Sequence, residues 1–364
     1  MALFPVTVVV GTRPEVLKMA PVLRAMRARG VFDVDLCALA QQGALLDVAL
    51  ADCALAPTAR LALTDAPPRL GESLAAAVRA VSARLRERPS RAVIVQGDTT
   101  STLGGALAGF YAGLPVAHVE AGLRSGDPCS PFPEEMHRAL VDRLASALYA
   151  PTPQSRDNLL REGVDPARVV VVGNTSIDAL RQMHAETLVP QGDRSLRVLV
   201  TCHRRENFGE GVRGVCASVA ALLAAHPEVE VDYVLHPHPG AHEAPRAALE
   251  GLPRVRLHEP MPHADFLRLL ARASVVLTDS GGVQEEAAYL RRPLLVLRAG
   301  TERVEAVRRG VAQVVGTSPD TVLPALLSAL QRDASLDEPF GEYGDGEAGA
   351  RIAADLHARL ERGW

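Results

Sequence analysis

Carboxylates follow apolar, strand-like runs again and again in the first half of this 364-residue chain. Asp98 comes just after "AVIVQG", Glu120 just after "PVAHV", and Glu134 opens the helical stretch "PFPEEMHR". Taken one at a time, each also reads as a helix cap, a loop carboxylate or a first-turn acid. An acid in a first helical turn is stabilising by about 0.3–1 kcal/mol. Together they say more. In an open parallel sheet the residues beyond the carboxyl ends of the strands share one edge, and ligands bind there. Separate carboxylates converging on one edge are how acid and base roles are assembled. The turn "GTRPE" adds Arg13 to that edge. Thr12 and Glu15 have capping-box spacing and Pro14 suits a first helical turn, so Arg13 sits beside free backbone N–H groups, an anion site.

The second half carries a different chemistry. "TCHRRENFG" sets His203, Arg204, Arg205, Glu206 and Asn207 directly after a strand-like run. "LTDSGGVQEEA" then places Ser280, Gly281 and Gly282 between a strand and a helix. Glycines there let backbone N–H groups approach a phosphate, and the helix N-terminus favours its charge. Glu285 and Glu286, a turn further on, suit ribose hydroxyls instead. The next run, "PLLVL", opens onto Arg298, Thr301, Glu302, Arg303 and Glu305. These are expected to line the same pocket, with the arginines countering a nucleotide diphosphate. The turn is neither GxGxxG nor a Walker loop, so the cofactors of those motifs are not indicated. Histidines crowd the region from His203 to His263, including His236 and His238 in "HPHPG". They complete no known ligand spacing, and no metal is expected. Cys202 lies within a strand run and reads as a core thiol.

The elements that must position these groups are legible as an alternation. Apolar runs at 6–10, 33–39, 92–96, 115–120, 147–150 and 168–173 are separated by amphipathic stretches. So are runs at 197–202, 231–236, 254–259, 274–279, 293–297 and 312–316. Strand–helix alternation implies parallel sheets with helices on both faces. Two sets of about six strands imply two doubly wound α/β domains, and the length also suits two. The expected division is 1–181, 182–345 and a final helix, 346–364, that packs back on the first domain; Pro190 and Gly192 mark the linker. Pro21 complicates the first helix and is expected to kink it. The net charge of −4 gives no global pull towards nucleic acid. Five scattered cysteines argue for reduced thiols in a cytoplasmic protein. No stretch approaches the ~20 apolar residues of a membrane span.

Ten segments in order carry a resemblance: "GTRPEVLKMAPV", "QGDTTST", "HVEAGLRSGD", "PFPEEMHR", "APTPQSRDNL", "GNTSIDAL", "TCHRRENFG", "LTDSGGVQEEA", "LRAGTERVEAV" and "YGDG". Together they resemble the non-hydrolysing UDP-N-acetylglucosamine 2-epimerase family across nearly the whole chain. The resemblance implies two Rossmann-like domains facing a cleft, as in GT-B glycosyltransferases, and a homodimer. It implies a cytoplasmic isomerase serving cell-surface polysaccharide synthesis. UDP is eliminated to leave a 2-acetamidoglucal and added back with carbon 2 inverted, without metal or redox cofactor. The family's proton-handling residues fall on Asp98, Glu120, Glu134 and His203. Arg13 and Lys18 carry over as phosphate-side groups, and Ser280, Gly281, Gly282 and Glu286 as UDP-binding. Arg138, Arg205, His236, Phe266 and Arg303 join them as candidate substrate contacts.

The chain departs from the family in places. Gln41, Gln42, Gly43 and Ala44 stand where bacterial members help to hold a second, activating UDP-N-acetylglucosamine. This predicts weakened activation. His137 and His238 replace asparagines, and Ala299, Gly300 and Val304 replace an aspartate, a threonine and a proline. These changes bear on the sugar more than on the chemistry. A related UDP-sugar, such as a 2,3-diacetamido uronic acid, and a GT-B glycosyl transfer are the alternatives.

Overall fold

The computed structural model describes residues 3–39, 43–62, 69–183, 196–236, 238–331 and 340–364. The chain divides into two compact units, Met1–Ala179 with Tyr343–Trp364, and Leu180–Glu342. The linker residues 184–195 lie outside the described residues, as do Gln41 and Gln42.

The first unit is built on seven parallel strands: β1 (Phe4–Val10), β2 (Phe32–Leu39), β3 (Ala59–Leu61), β4 (Ala92–Gln96), β5 (Val116–Val119), β6 (Ala147–Ala150) and β7 (Val169–Val171). Their order is β3-β2-β1-β4-β5-β6-β7. β1 pairs with β2 through Val6 opposite Val34, and with β4 through Val8 opposite Ile94. The order therefore reverses between β1 and β4, the position where open sheets form a ligand crevice. Side chains alternate faces along a strand. Val8 and Val10 join Met19 and Leu23 in one core layer, while Val9 joins Val81 and Val95 in the other. The helices are α1 (Arg13–Arg29), α2 (Ala44–Asp52), α3 (Leu70–Glu87), α4 (Thr100–Tyr111), α5 (Glu134–Leu144), α6 (Pro153–Arg161) and α7 (Thr175–Gln182).

The second unit repeats the plan with β8 (Leu196–Thr201), β9 (Val229–Val234), β10 (Val255–His258), β11 (Val275–Thr278), β12 (Leu294–Val296) and β13 (Ala312–Val314). All pairs are parallel, in the order β10-β9-β8-β11-β12-β13. Here the reversal falls between β8 and β11, the strands that precede His203 and Ser280. Its helices are α8 (Glu210–Ala225), α9 (Pro239–Leu249), α10 (His263–Arg272), α11 (Gly281–Tyr289), α12 (Val304–Arg308) and α13 (Pro319–Gln331).

The final helix, α14 (Ala348–Glu361), belongs to the first unit. Ile352, Ala353, Leu356 and Leu360 enter the core layer of α1. The approach is close: a Cβ on Gly349 would lie 2.9 Å from the Pro21 carbonyl. Glycine removes that obstacle. α1 runs through Pro21 as one helix from Arg13 to Arg29. Strand β3 is an addition to the sequence reading. Among the described residues, no helix is long and apolar enough to cross a membrane.

Candidate active site

In the first unit the strand-end edge is organised by buried charge. Glu15 reaches back to its own helix start, as the capping-box spacing predicts. One carboxylate oxygen accepts from Gly11 N (2.6 Å) and Thr12 N (2.7 Å). The other lies 2.5 Å and 2.8 Å from the hydroxyls of Thr99 and Thr102, at the start of α4. Glu15 thus ties the turn after β1 to the turn after β4. Burial pushes its carboxyl up, while these hydrogen bonds offset part of the effect.

Glu120 sits at the tip of β5 with φ of 70°, the left-handed region that costs a non-glycine residue of order 1–3 kcal/mol. The carboxylate meets the Lys18 ammonium and the Gln96 amide. Both members of the Lys18–Glu120 pair are more than nine-tenths buried. Asp98, next to Gly97, pairs with Arg138. Arg138 is almost wholly buried and also donates to Glu135 (3.1 Å). A Cβ on Gly97 would stand 3.7 Å from the Glu120 carboxylate, so Asp98 and Glu120 are close along this edge. Glu134 and Arg138 are one helical turn apart on α5 and share a face. Arg13 opens α1 at the same edge, half-buried.

Two histidines support this edge. His118 is fully buried, with Nδ1 2.7 Å from Asp142 and Nε2 2.8 Å from the Gly97 carbonyl. Burial raises the carboxyl of Asp142, but the neighbouring His118 and Arg124 outweigh it and hold the pKa below the usual value. His137 places Nδ1 3.1 Å from the Asp98 carbonyl oxygen, and burial lowers its pKa. His118 stood inside "HVEAGLRSGD", but nothing in its spacing pointed to a carboxylate 24 residues later.

The second unit holds the other group. His203 follows β8, and its ring stacks on His236 with centroids 5.2 Å apart and planes at 13°. Burial, then the neighbouring histidines, lower the pKa of His236 to about 4. Asp279, at the end of β11, accepts from His203 N, Arg204 N and Asn207 Nδ2, each at 2.8 Å. Ser280 caps α11, and Gly281 and Gly282 form its first turn. Arg205 is exposed on the short 3-10 turn Arg205–Asn207. Phe266 is buried on α10, one turn beyond His263.

The arginine knot is tied to nearby carboxylates. Arg298 donates to Glu302 (2.9 Å), and Arg303 donates to Glu285 (3.0 and 2.8 Å) and to Glu302. Glu206 also lies 3.7 Å from Arg298, so both arginines are paired with carboxylates of the chain. Glu286 accepts from His263 Nε2 at 2.7 Å. Arg303 does reach the glycine turn: a Cβ on Gly281 would lie 2.8 Å from its guanidinium carbon. Among the described residues, no group of three or more His, Cys, Asp and Glu is arranged to hold a metal ion.

This arrangement has close relatives. The family model for UDP-N-acetylglucosamine 2-epimerase matches residues 24–357. The chain belongs to the UDP-N-acetylglucosamine 2-epimerase family. A curated member from Yersinia pestis is 39% identical, covering 96% of this chain and 98% of its own length. One from Ralstonia nicotianae, named "Probable UDP-N-acetylglucosamine 2-epimerase", is 40% identical over 97% of this chain and 98% of its own. The crystal structure of the Neisseria meningitidis epimerase bound to UDP-GlcNAc superposes with a TM-score of 0.89 at 33% identity, covering 98% of this chain and all of that one. The family is a family of isomerases, and the doubly wound α/β architecture of both units accords with it.

Proposed function

We propose that this protein interconverts UDP-N-acetylglucosamine and UDP-N-acetylmannosamine. The observation that carries the reading is the strand-end edge of the first unit, where Glu120 is paired with Lys18 and Asp98 with Arg138. The paired cations orient carboxylates that can take and return a proton at a sugar carbon. In this reading the proton leaves carbon 2 as the bond from carbon 1 to UDP breaks, giving a 2-acetamidoglucal and UDP. UDP then returns to carbon 1, and a proton returns to carbon 2 on the opposite face. Asp98, Glu120, Glu134 and His203 handle the protons. On the second unit the turn Ser280–Gly282 cradles the diphosphate with Arg205 and Arg303 supplying charge, and on the first Arg13, Lys18 and Arg138 serve as substrate contacts. Glu286 and Phe266 take the nucleoside, and His236 supports His203.

The working protein is a cytoplasmic homodimer that supplies an N-acetylmannosamine donor for cell-surface polysaccharide. Free thiols at Cys37, Cys53, Cys129, Cys202 and Cys216 support a reducing compartment. Exposed Phe110, Tyr111, Met136 and Leu140 on α4 and α5 support self-association. The test is incubation with UDP-N-acetylglucosamine in deuterated water, followed by proton NMR. The expected result is the manno epimer carrying solvent deuterium at carbon 2. Free sugar would mean hydrolysis. No turnover would move the reading to a related UDP-sugar, which the histidines at 137 and 238 favour as the second choice.

A further inference from the structure

Asp279 is wholly buried, its carboxylate oxygens are unequally used, and the neighbouring Cys202 thiol also interacts with it. Oδ2 takes three donors, the backbone N–H groups of His203 and Arg204 and the amide of Asn207, each at 2.8 Å. Oδ1 has no hydrogen-bond partner. It faces Nδ1 of His203 at 3.5 Å. A buried carboxylate oxygen left without a donor is costly, of order 1–3 kcal/mol or more for a charged group. Its aim at an imidazole nitrogen therefore asks for a reason. The ring of His203 is about one-third exposed (35%), and its face is braced by the stack on His236.

We propose that Asp279 is a positioning residue that fixes His203 as the Nδ1–H tautomer, leaving the Nε2 lone pair turned away from Asp279 to accept a proton. An ionised carboxylate is an acceptor only, so the ring nitrogen that faces it carries hydrogen. The carboxylate also stabilises the imidazolium formed when Nε2 takes up the proton. Asp279 directly precedes Ser280, so one residue ties the histidine to the glycine turn of the same unit. The inference rests on the proposed function in one respect, that His203 moves a proton during the reaction.

A merely structural Asp279 would act through Oδ2 alone. Asp279→Asn separates the two roles. The side-chain oxygen of asparagine keeps the three donors, and its amide nitrogen takes the place of Oδ1. That nitrogen donates, so it forces Nδ1 of His203 to accept and moves the hydrogen to Nε2. Nitrogen-15 NMR of the histidine rings at mildly alkaline pH, with His203 assigned by loss of its signal in His203→Gln, reads the tautomer directly. The wild type is expected to show Nδ1–H and Asp279→Asn to show Nε2–H. With the tautomer, kcat is expected to fall by about 10²–10⁴-fold while KM changes little. Nε2–H in the wild type, or an unchanged tautomer in Asp279→Asn, overturns the proposal. If Asp279→Asn does not fold, the wild-type tautomer decides alone. The expected tautomers in a protein that does not epimerise UDP-N-acetylglucosamine support the positioning and overturn the assigned reaction instead.

Discussion

Gly281 and Gly282 stand side by side at the start of α11, but their surroundings differ. A Cβ on Gly281 would meet the Arg303 guanidinium at 2.8 Å, while one on Gly282 would meet nothing within 4 Å. Arg303 is anchored by Glu285 and Glu302, so it resists displacement. Gly281→Ala is expected to cost about 1–3 kcal/mol of stability, visible as a lower thermal midpoint. Gly282→Ala is expected to leave the midpoint unchanged and to weaken UDP by about 10-fold or more in calorimetric titration. Its methyl would stand where a phosphate approaches the backbone N–H groups. UDP binding at wild-type strength in Gly282→Ala would remove the cradle from this turn. The glycine pair was legible in the sequence because a strand–Ser–Gly–Gly–helix pattern has few other uses. The role of Arg303 was not. Its partner Glu285 lies 18 residues away, and only folding shows that the knot is balanced internally. Asp279 was visible in "LTDSGG", but its aim at His203, 76 residues earlier, was not.

At the scale of elements, α14 is tied to α7 by a single carboxylate. Asp178 accepts from Ala348 N (3.2 Å) and Gly349 N (2.7 Å) at the start of α14. Burial raises its pKa from 3.8 to about 6, against the lowering effect of those same N–H groups. The folded state therefore holds this proton more tightly than the unfolded chain. The stabilising contribution is full below 3.8 and is lost as pH rises to about 6. Wild type and Asp178→Asn should accordingly diverge on acidification. The thermal midpoint of the wild type is expected to gain on that of the variant between about pH 6 and pH 4, with no further change above that window. A constant difference across the window would assign the docking of α14 to its apolar face alone. The repeating strands were legible because buried parallel strands read as near-continuous apolar runs. Strand β3 escaped because Ala59–Leu61 is three residues long, lies at the sheet edge and leaves Arg60 exposed. The passage of α1 through Pro21 was equally hidden. The residue that closes on that proline, Gly349, lies at the other end of the chain.

At the scale of the whole molecule, each unit has its own core. Exposed apolar residues are spread over both units, and four of them lie on two neighbouring helices of the first. Phe110 and Tyr111 end α4 with rings 6.1 Å apart, and Met136 and Leu140 lie one turn apart on α5, which packs against α4. Tyr111 is 71% exposed, which is costly for a large aromatic unless another surface covers it. Single exposed apolar residues are ordinary, while a contiguous apolar patch marks an interaction surface. A second copy of the chain is the partner expected here, in line with the homodimer that the family resemblance implies, and a two-fold axis would use the same surface on both copies. Light scattering of the wild type should give a dimer. The double variant Tyr111→Asp, Leu140→Asp should give a monomer with an unchanged thermal midpoint, since neither side chain contributes to a core layer of its own unit. A monomeric wild type, or a double variant that remains dimeric, would place self-association elsewhere or remove it. Catalysis adds a second reading of the same experiment. The carboxylate edge is anchored by Glu134 and Arg138 on α5, the helix that carries Met136 and Leu140. If pairing of two copies steadies that helix, the monomer should lose kcat while the thermal midpoint stays in place.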